Sequence, residues 1–233
     1  MAETPRYAHL VILLFFGSAL AIFLCLLVAV VAAFRKTGKV AKFAALGAAL
    51  GAISYTALLL GVALSTPNKT LPPGHWKYFC EADCHIAYSV DSVQEAATLG
   101  AEANRLTAQG RFIVVRLKTW FDRTSIAAFR GDSPLTPDSR VVRLVDDSGR
   151  QYLPAPGAAA WSLPSTPLNT PLRPGESYVT TFVFDLPIDS HNPLLLITDA
   201  GPVTALLVDH ENSPLHGKFY LSLNRSASAA PEQ

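Results

Sequence analysis

The chain has 233 residues, 50% of them hydrophobic, with 19 Lys and Arg against 18 Asp and Glu and a formal net charge of +1. That length holds one good-sized domain or a smaller domain with an appendage. Near-neutral charge without a basic stripe excludes a nucleic-acid binder, which needs clustered cations to displace counterions. Leu10 to Phe34 is uncharged for 25 residues, a helix of about 37 Å at ~1.5 Å per residue, enough to cross a bilayer. Phe43 to Ser65 is a second uncharged run, about 34 Å as a helix. A cleaved signal peptide fits the first run poorly: its leader carries a lone Arg6, its apolar core is too long, and a basic loop follows directly.

That loop, residues 35–42, carries Arg35, Lys36, Lys39 and Lys42 and no acid. The positive-inside bias makes it cytoplasmic and sends both termini outward. The expected plan is a short tail (1–8), a transmembrane helical hairpin (9–66), a Pro-rich linker (67–77), an all-β extracytoplasmic domain (78–224) and a C-terminal tail (225–233). In the hairpin, Gly47 with Gly51 forms a GxxxG ridge, and Gly17 with Ala21 a weaker pair of small residues. Both permit close helix approach, either within the hairpin or onto other membrane subunits. Beyond Ser65 the balance is 14 Lys and Arg against 17 Asp and Glu, with the signs interspersed.

In the outer part the apolar period is two. Ile86, Tyr88 and Val90 alternate with smaller or polar neighbours, and Ile113, Val115, Leu117, Thr119 and Phe121 share one strand face. "RVVRLVDDSGRQYL" reads as strand, turn, strand, and "RPGESYVTTFVFDLP" as a strand entered through a Pro-Gly turn and ended by Pro187. Leu194 to Thr198, Val203 to Val208 and Phe219 to Leu223 read as three more strands, and a helical pattern fits only around Glu95 to Arg105. This spacing predicts a sandwich of antiparallel sheets.

The stretches "IAYSVDSVQEAATLG", "GRFIVVRLKTWFD", "VVRLVDDSGRQY" and "LRPGESYVTTFVFDLP" resemble the telokin-like, immunoglobulin-fold domain family of unknown function found in bacterial extracytoplasmic proteins. The resemblance covers about Ile86 to Asp199. It implies an immunoglobulin-like antiparallel β-sandwich in an extracytoplasmic compartment, here the periplasmic side of a bacterial inner membrane, and no catalytic residues.

Three segments depart from that pattern. "CEADCH" places Cys80, Cys84 and His85 ahead of the first family strand. A Cys80–Cys84 disulfide would pin the domain entrance and is the expected state in an oxidising compartment. The alternatives are heme c attachment, with an uncommon three-residue spacing, and a copper or zinc site drawing on His75, His85, His210 or His216. The second segment, Pro154 to Pro174, carries Trp161 and Leu163, which could anchor a partner or fold over a sheet edge. The third is "VDHENSPLHGKFYLSL", beyond the usual last strand. The chain has no GxSxG, HExxH, phosphate loop, GxGxxG or CxxC. The expectation is a non-catalytic membrane-anchored accessory subunit without a cofactor; the alternative is an electron-transfer or metal-handling protein.

Overall fold

The structure, a computed structural model, describes residues 8–79, 85–100, 105–126, 130–155 and 163–223. Two long helices open it, α1 (Ala8–Phe34) and α2 (Gly38–Ser65). The connection between them is only three residues long. Lys36 turns it with φ 59°, and Thr37 Oγ1 donates to the Ala32 carbonyl at 3.0 Å. Lys39 and Lys42 therefore lie in the first turns of α2 and not in the expected loop, because lysine is a good helix former and its charge does not end the helix. The helices run antiparallel: Gly47 faces Cys25 and Gly51 faces Ile22.

The β strands are β1 (Lys69–Leu71), β2 (Lys77–Phe79), β3 (Ile86–Leu99), β4 (Leu106–Phe121), β5 (Arg140–Val145), β6 (Gln151–Tyr152), β7 (Ser177–Leu186), β8 (Leu194–Asp199) and β9 (Phe219–Ser222). They form two sheets, one ordered β2-β3-β4-β7 and the other β1-β9-β8-β5-β6. All pairings are antiparallel except β1 with β9. One core lies between the sheets: Ile86, Tyr88, Ile113, Val115, Leu117, Phe121, Phe184 and Leu186 from the first meet Val142, Leu144, Leu195, Ile197 and Leu221 from the second. Alternate residues of each strand supply it, as the period of two requires.

Three expected elements differ. Residues 95–99 are strand, not helix, since β3 pairs with β4 as far as Leu99↔Leu106. Irregularities between Val90 and Ser92 and between Ala96 and Thr98 break the strict alternation and so hide the strand. Val203–Leu206 is a 3-10 turn, not a strand. The linker is not merely extended: Lys69–Leu71 joins the second sheet as β1.

The Pro-rich segment folds along the edge strand β7. Ala155 N donates to Val183 O (2.7 Å), Thr166 N to Val179 O (2.9 Å), Thr181 N to Ser165 Oγ (2.9 Å), and Thr180 Oγ1 to Thr166 O (2.7 Å). An edge strand covered in this way is closed to pairing with other chains. The chain divides into two compact units, one of residues 69–200 with β9, the other of the two helices through Asn68 together with the β8–β9 connection, residues 201–218.

Candidate functional site

The described residues flanking the CEADCH stretch form a charged, aromatic cluster. Alternation in β2 turns Lys77 and Phe79 inward. Lys77 Nζ donates to the Ile197 carbonyl at 2.6 Å and the Phe219 carbonyl at 3.0 Å, and it stands 5.0 Å from the Phe79 ring centre. Arg140 lies 4.3 Å from that ring and pairs with Asp199, its cross-strand neighbour. Two buried cations on one aromatic ring are tolerable only because carbonyls, a carboxylate and the ring face all compensate their lost hydration.

Across β3, His85 is 2% exposed. Its ring stacks on Phe121 (centroids 5.6 Å) and its Nδ1 lies 2.8 Å from Ser125 Oγ. Arg130 stands 4.8 Å from the Phe121 ring. Asp122 caps the 3-10 turn Arg123–Ser125, accepting from Thr124 N (2.8 Å) and Thr124 Oγ1 (2.7 Å), while its other oxygen accepts from Tyr78 OH at 2.6 Å. Burial pushes the Asp122 carboxyl up, but the hydrogen bonds from Tyr78 and Thr124 outweigh it and hold the group below the usual carboxylate range. Burial, reinforced by that same hydrogen bond, drives the Tyr78 hydroxyl far above its ordinary value. Both groups thus keep one protonation state across neutral pH, which suits a fixed structural pair better than a proton shuttle.

A second hub lies in the β5–β6 turn. Asp146 accepts from Ser148 N and Oγ (3.0 and 2.6 Å), Arg150 N and Nε (3.0 and 2.9 Å) and Tyr152 OH (2.8 Å). Burial raises its carboxyl, and these donors more than reverse the effect. Arg150 reaches on to Asp189 at 2.8 Å.

Of the sequence candidates, Cys80, Cys84 and Trp161 lie outside the described residues. His75 is exposed on a turn, its backbone amide bonded to Pro72 O. His210 and His216 belong to the helical unit. There His216 bonds Gly217 O (2.6 Å) and Asp209 (3.4 Å), and His210 accepts from Asn212 N (3.0 Å). Among the described residues no three His, Cys, Asp or Glu side chains gather as a metal would need. Leu163 packs against the Phe112, Val114 and Val183 cluster of its own domain. The buried Lys77, Arg140 and Asp122 were not legible as a cluster in the sequence; the signal for Lys77 and Arg140 was a charge at an inward position of an alternating strand, and Asp122, just past the end of β4, is a turn cap.

In the hairpin, a Cβ on Gly51 would stand 3.2 Å from Ile22 Cγ1 and one on Gly47 3.7 Å from Cys25 Sγ. A Cβ on Gly17 would meet nothing within 4 Å. Gly17 and Ala21 instead lie with Leu10, Leu13, Leu14 and Ser18 on one open, shallow face of α1.

No family model matches the chain, and no curated protein does. Two solved structures resemble it distantly. The yjhA protein from Bacillus subtilis is 10% identical, covering 66% of this chain and 98% of its own, with a TM-score of 0.39. MPT63, a secreted protein from Mycobacterium tuberculosis, is 11% identical, covering 68% and 99%, with a TM-score of 0.43.

Proposed function

We propose that the chain is a membrane-anchored protein whose immunoglobulin-like β-sandwich works outside the cytoplasmic membrane as a non-catalytic accessory subunit of a larger membrane complex. The observation that carries this reading is the unequal use of the two small-residue pairs. Gly47 and Gly51 are taken up against α1, whereas Gly17 and Ala21 lie on an open face of α1 with Ser18 beside them. Small residues let a second transmembrane helix approach closely, and packing of this kind drives helix association where lipid offers no hydrophobic gain. The basic residues between the helices support a cytoplasmic turn and an outward β domain. The fixed protonation of Asp122 and Tyr78 supports a structural role for the entry cluster.

The test is co-purification from native membranes in mild detergent. Other membrane subunits should accompany the wild-type chain, and Gly17→Leu, which puts a bulky side chain on that small-residue face, should lose them while the chain itself still accumulates. A Gly17→Leu variant that retains the same partners, or a wild-type chain that purifies alone, would refute the reading.

A further inference from the structure

The β8–β9 connection, residues 201–218, belongs to the same compact unit as the two apolar helices. Tyr55 of α2 donates its hydroxyl to the Leu206 carbonyl at 2.7 Å, and its ring packs 6.3 Å from that of Phe15 on α1. Tyr55 is ten residues before the end of α2 at Ser65, so it lies about 15 Å along the helix axis from that end at ~1.5 Å per residue. α2 has 28 residues, about 42 Å of helix, so centred on a hydrocarbon core of about 30 Å it projects about 6 Å at each end and Tyr55 lies about 9 Å deep, within the outer leaflet. The connection shows apolar side chains: Val203 is 55% exposed, Leu206 50% and Leu215 69%. Leu215 is held there at φ 65°, a conformation costly for a bulky side chain.

Most polar groups of the segment are bonded within it, although the Asp209 side chain is 57% exposed. Ala205, Leu207, His210, Ser213 and His216 each donate their amide to a carbonyl three residues back. Ser213 Oγ donates to Leu207 O, Asn212 Nδ2 to Thr204 Oγ1 and Thr204 Oγ1 to Gly201 O. Asp209 faces His216, and Lys218 Nζ donates to the Glu211 carbonyl. Non-helical backbone is tolerated at membrane depth only when its own groups are satisfied; these internal bonds serve that end, and the segment presents leucine and valine outward, with Asp209 and its His216 contact on the polar side.

We infer that this connection is a re-entrant lipid-contacting segment, in which Val203, Leu206 and Leu215 lie among acyl chains beside α2 with Tyr55 as its tether. The inference rests on the reading of the hairpin as a membrane anchor. Its occupant is lipid because Leu206 is bonded to Tyr55 of a helix whose own side chains, such as Leu50, Ile53 and Leu58, are apolar and exposed. A soluble partner would have to displace lipid to reach them.

The test uses the full chain in phosphatidylethanolamine and phosphatidylglycerol nanodiscs, with photoreactive benzoylphenylalanine placed singly at Leu206, Leu215, Phe23 or Ile188. Phe23, 60% exposed on α1, reports the anchor; Ile188, 75% exposed in the β domain, reports water. Mass spectrometry should find lipid adducts at 206, 215 and 23 and none at 188. Adducts at 23 alone would overturn the inference and leave the anchor standing; none at 23 would overturn both. In native membranes, a protein adduct replacing lipid at 206 and 215 would overturn the lipid assignment in favour of a subunit interface. Tyr55→Phe should lower the adduct at 206 without changing that at 23; an unchanged adduct at 206 would remove Tyr55 as the tether.

Discussion

Gly217→Ala is the most informative single substitution in the helical unit. A Cβ there would stand 2.4 Å from both the carbonyl carbon and oxygen of Pro67 and 2.5 Å from Thr66 O. Carbon–carbon contacts need ~3.5–4.0 Å, so the shortfall is about 1 Å or more. No side chain can rotate away to relieve it, because all three atoms are backbone. The site is also tied on its C-terminal side, where Lys218 N donates to Asn68 Oδ1 at 2.8 Å and the β1–β9 pairing begins one residue later at Lys69↔Phe219. Overpacking of this kind costs about 1–3 kcal/mol. In a chain of this size ~1 kcal/mol moves Tm by about 2–4 °C, so a fall of about 2–12 °C is expected. Gly201 controls for glycine replacement in the same connection, since a Cβ there meets nothing within 4 Å. Gly201→Ala should leave Tm unchanged or raise stability by up to about 1 kcal/mol. Thermal unfolding in detergent, with amide exchange at β1 and β9, reads both variants. A Gly217→Ala protein melting within about 1 °C of wild type, with β1 and β9 equally protected, would refute the close approach.

Gly51→Leu should loosen the hairpin by about 1–3 kcal/mol, because Ile22 already crowds that position; Gly17→Leu should not, and melts of both variants in detergent compare them. The Asp122 carboxyl lies below its ordinary value in the folded chain, so its contribution is complete above the unfolded pKa of about 4 and disappears as pH falls through the folded value. Asp122→Asn should therefore lower the denaturant midpoint at neutral pH and flatten its decline in acid; an equal acid decline in both proteins would contradict the assignment. Phe184→Ala, at a fully buried position of the shared core, should cost about 3–5 kcal/mol in equilibrium unfolding.

The parts of the fold legible in the sequence were those where one periodicity runs unbroken. Ile113 to Phe121 reads as a strand face and is one, since every second residue there is buried. The β5–β6 turn was equally visible, because Asp146, Ser148 and Gly149 suit a tight reversal and Asp146 gathers the donors of that turn. What stayed hidden depended on partners distant in sequence. Bulges in β3 shift its alternation, and only pairing with β4 shows that it continues to Leu99. The run Val203 to Val208 has strand-forming residues, yet Pro202 caps a 3-10 turn there. Lys77 and Arg140 look like surface cations until Phe79 and the opposite sheet are placed around them. For the hairpin, the GxxxG ridge was visible, but which small pair faces inward needed the register of the two helices.

His85 keeps two roles distinguishable by experiment. A metal-bound imidazole ordinarily gives its second nitrogen to a hydrogen-bond acceptor, and a buried structural histidine does the same. The 2.8 Å contact between Nδ1 and Ser125 Oγ fits either role. The two roles part at Ser125→Ala. If His85 ligated heme iron or copper, loss of that contact would weaken metal retention by about 10–100-fold. In the structural role we favour, it costs only the hydrogen bond, about 0.5–1.5 kcal/mol of stability, and the expected outcome for the wild-type chain is neither a Soret band nor stoichiometric metal. The stack on Phe121 and the Arg130 guanidinium 4.8 Å from the same ring support the second outcome. They pack His85 into the sandwich between β3 and the turn at Asp122, where its ring fixes the strand entrance. A stoichiometric metal or heme that is lost in Ser125→Ala would refute this role and restore electron transfer as the function of the entry segment.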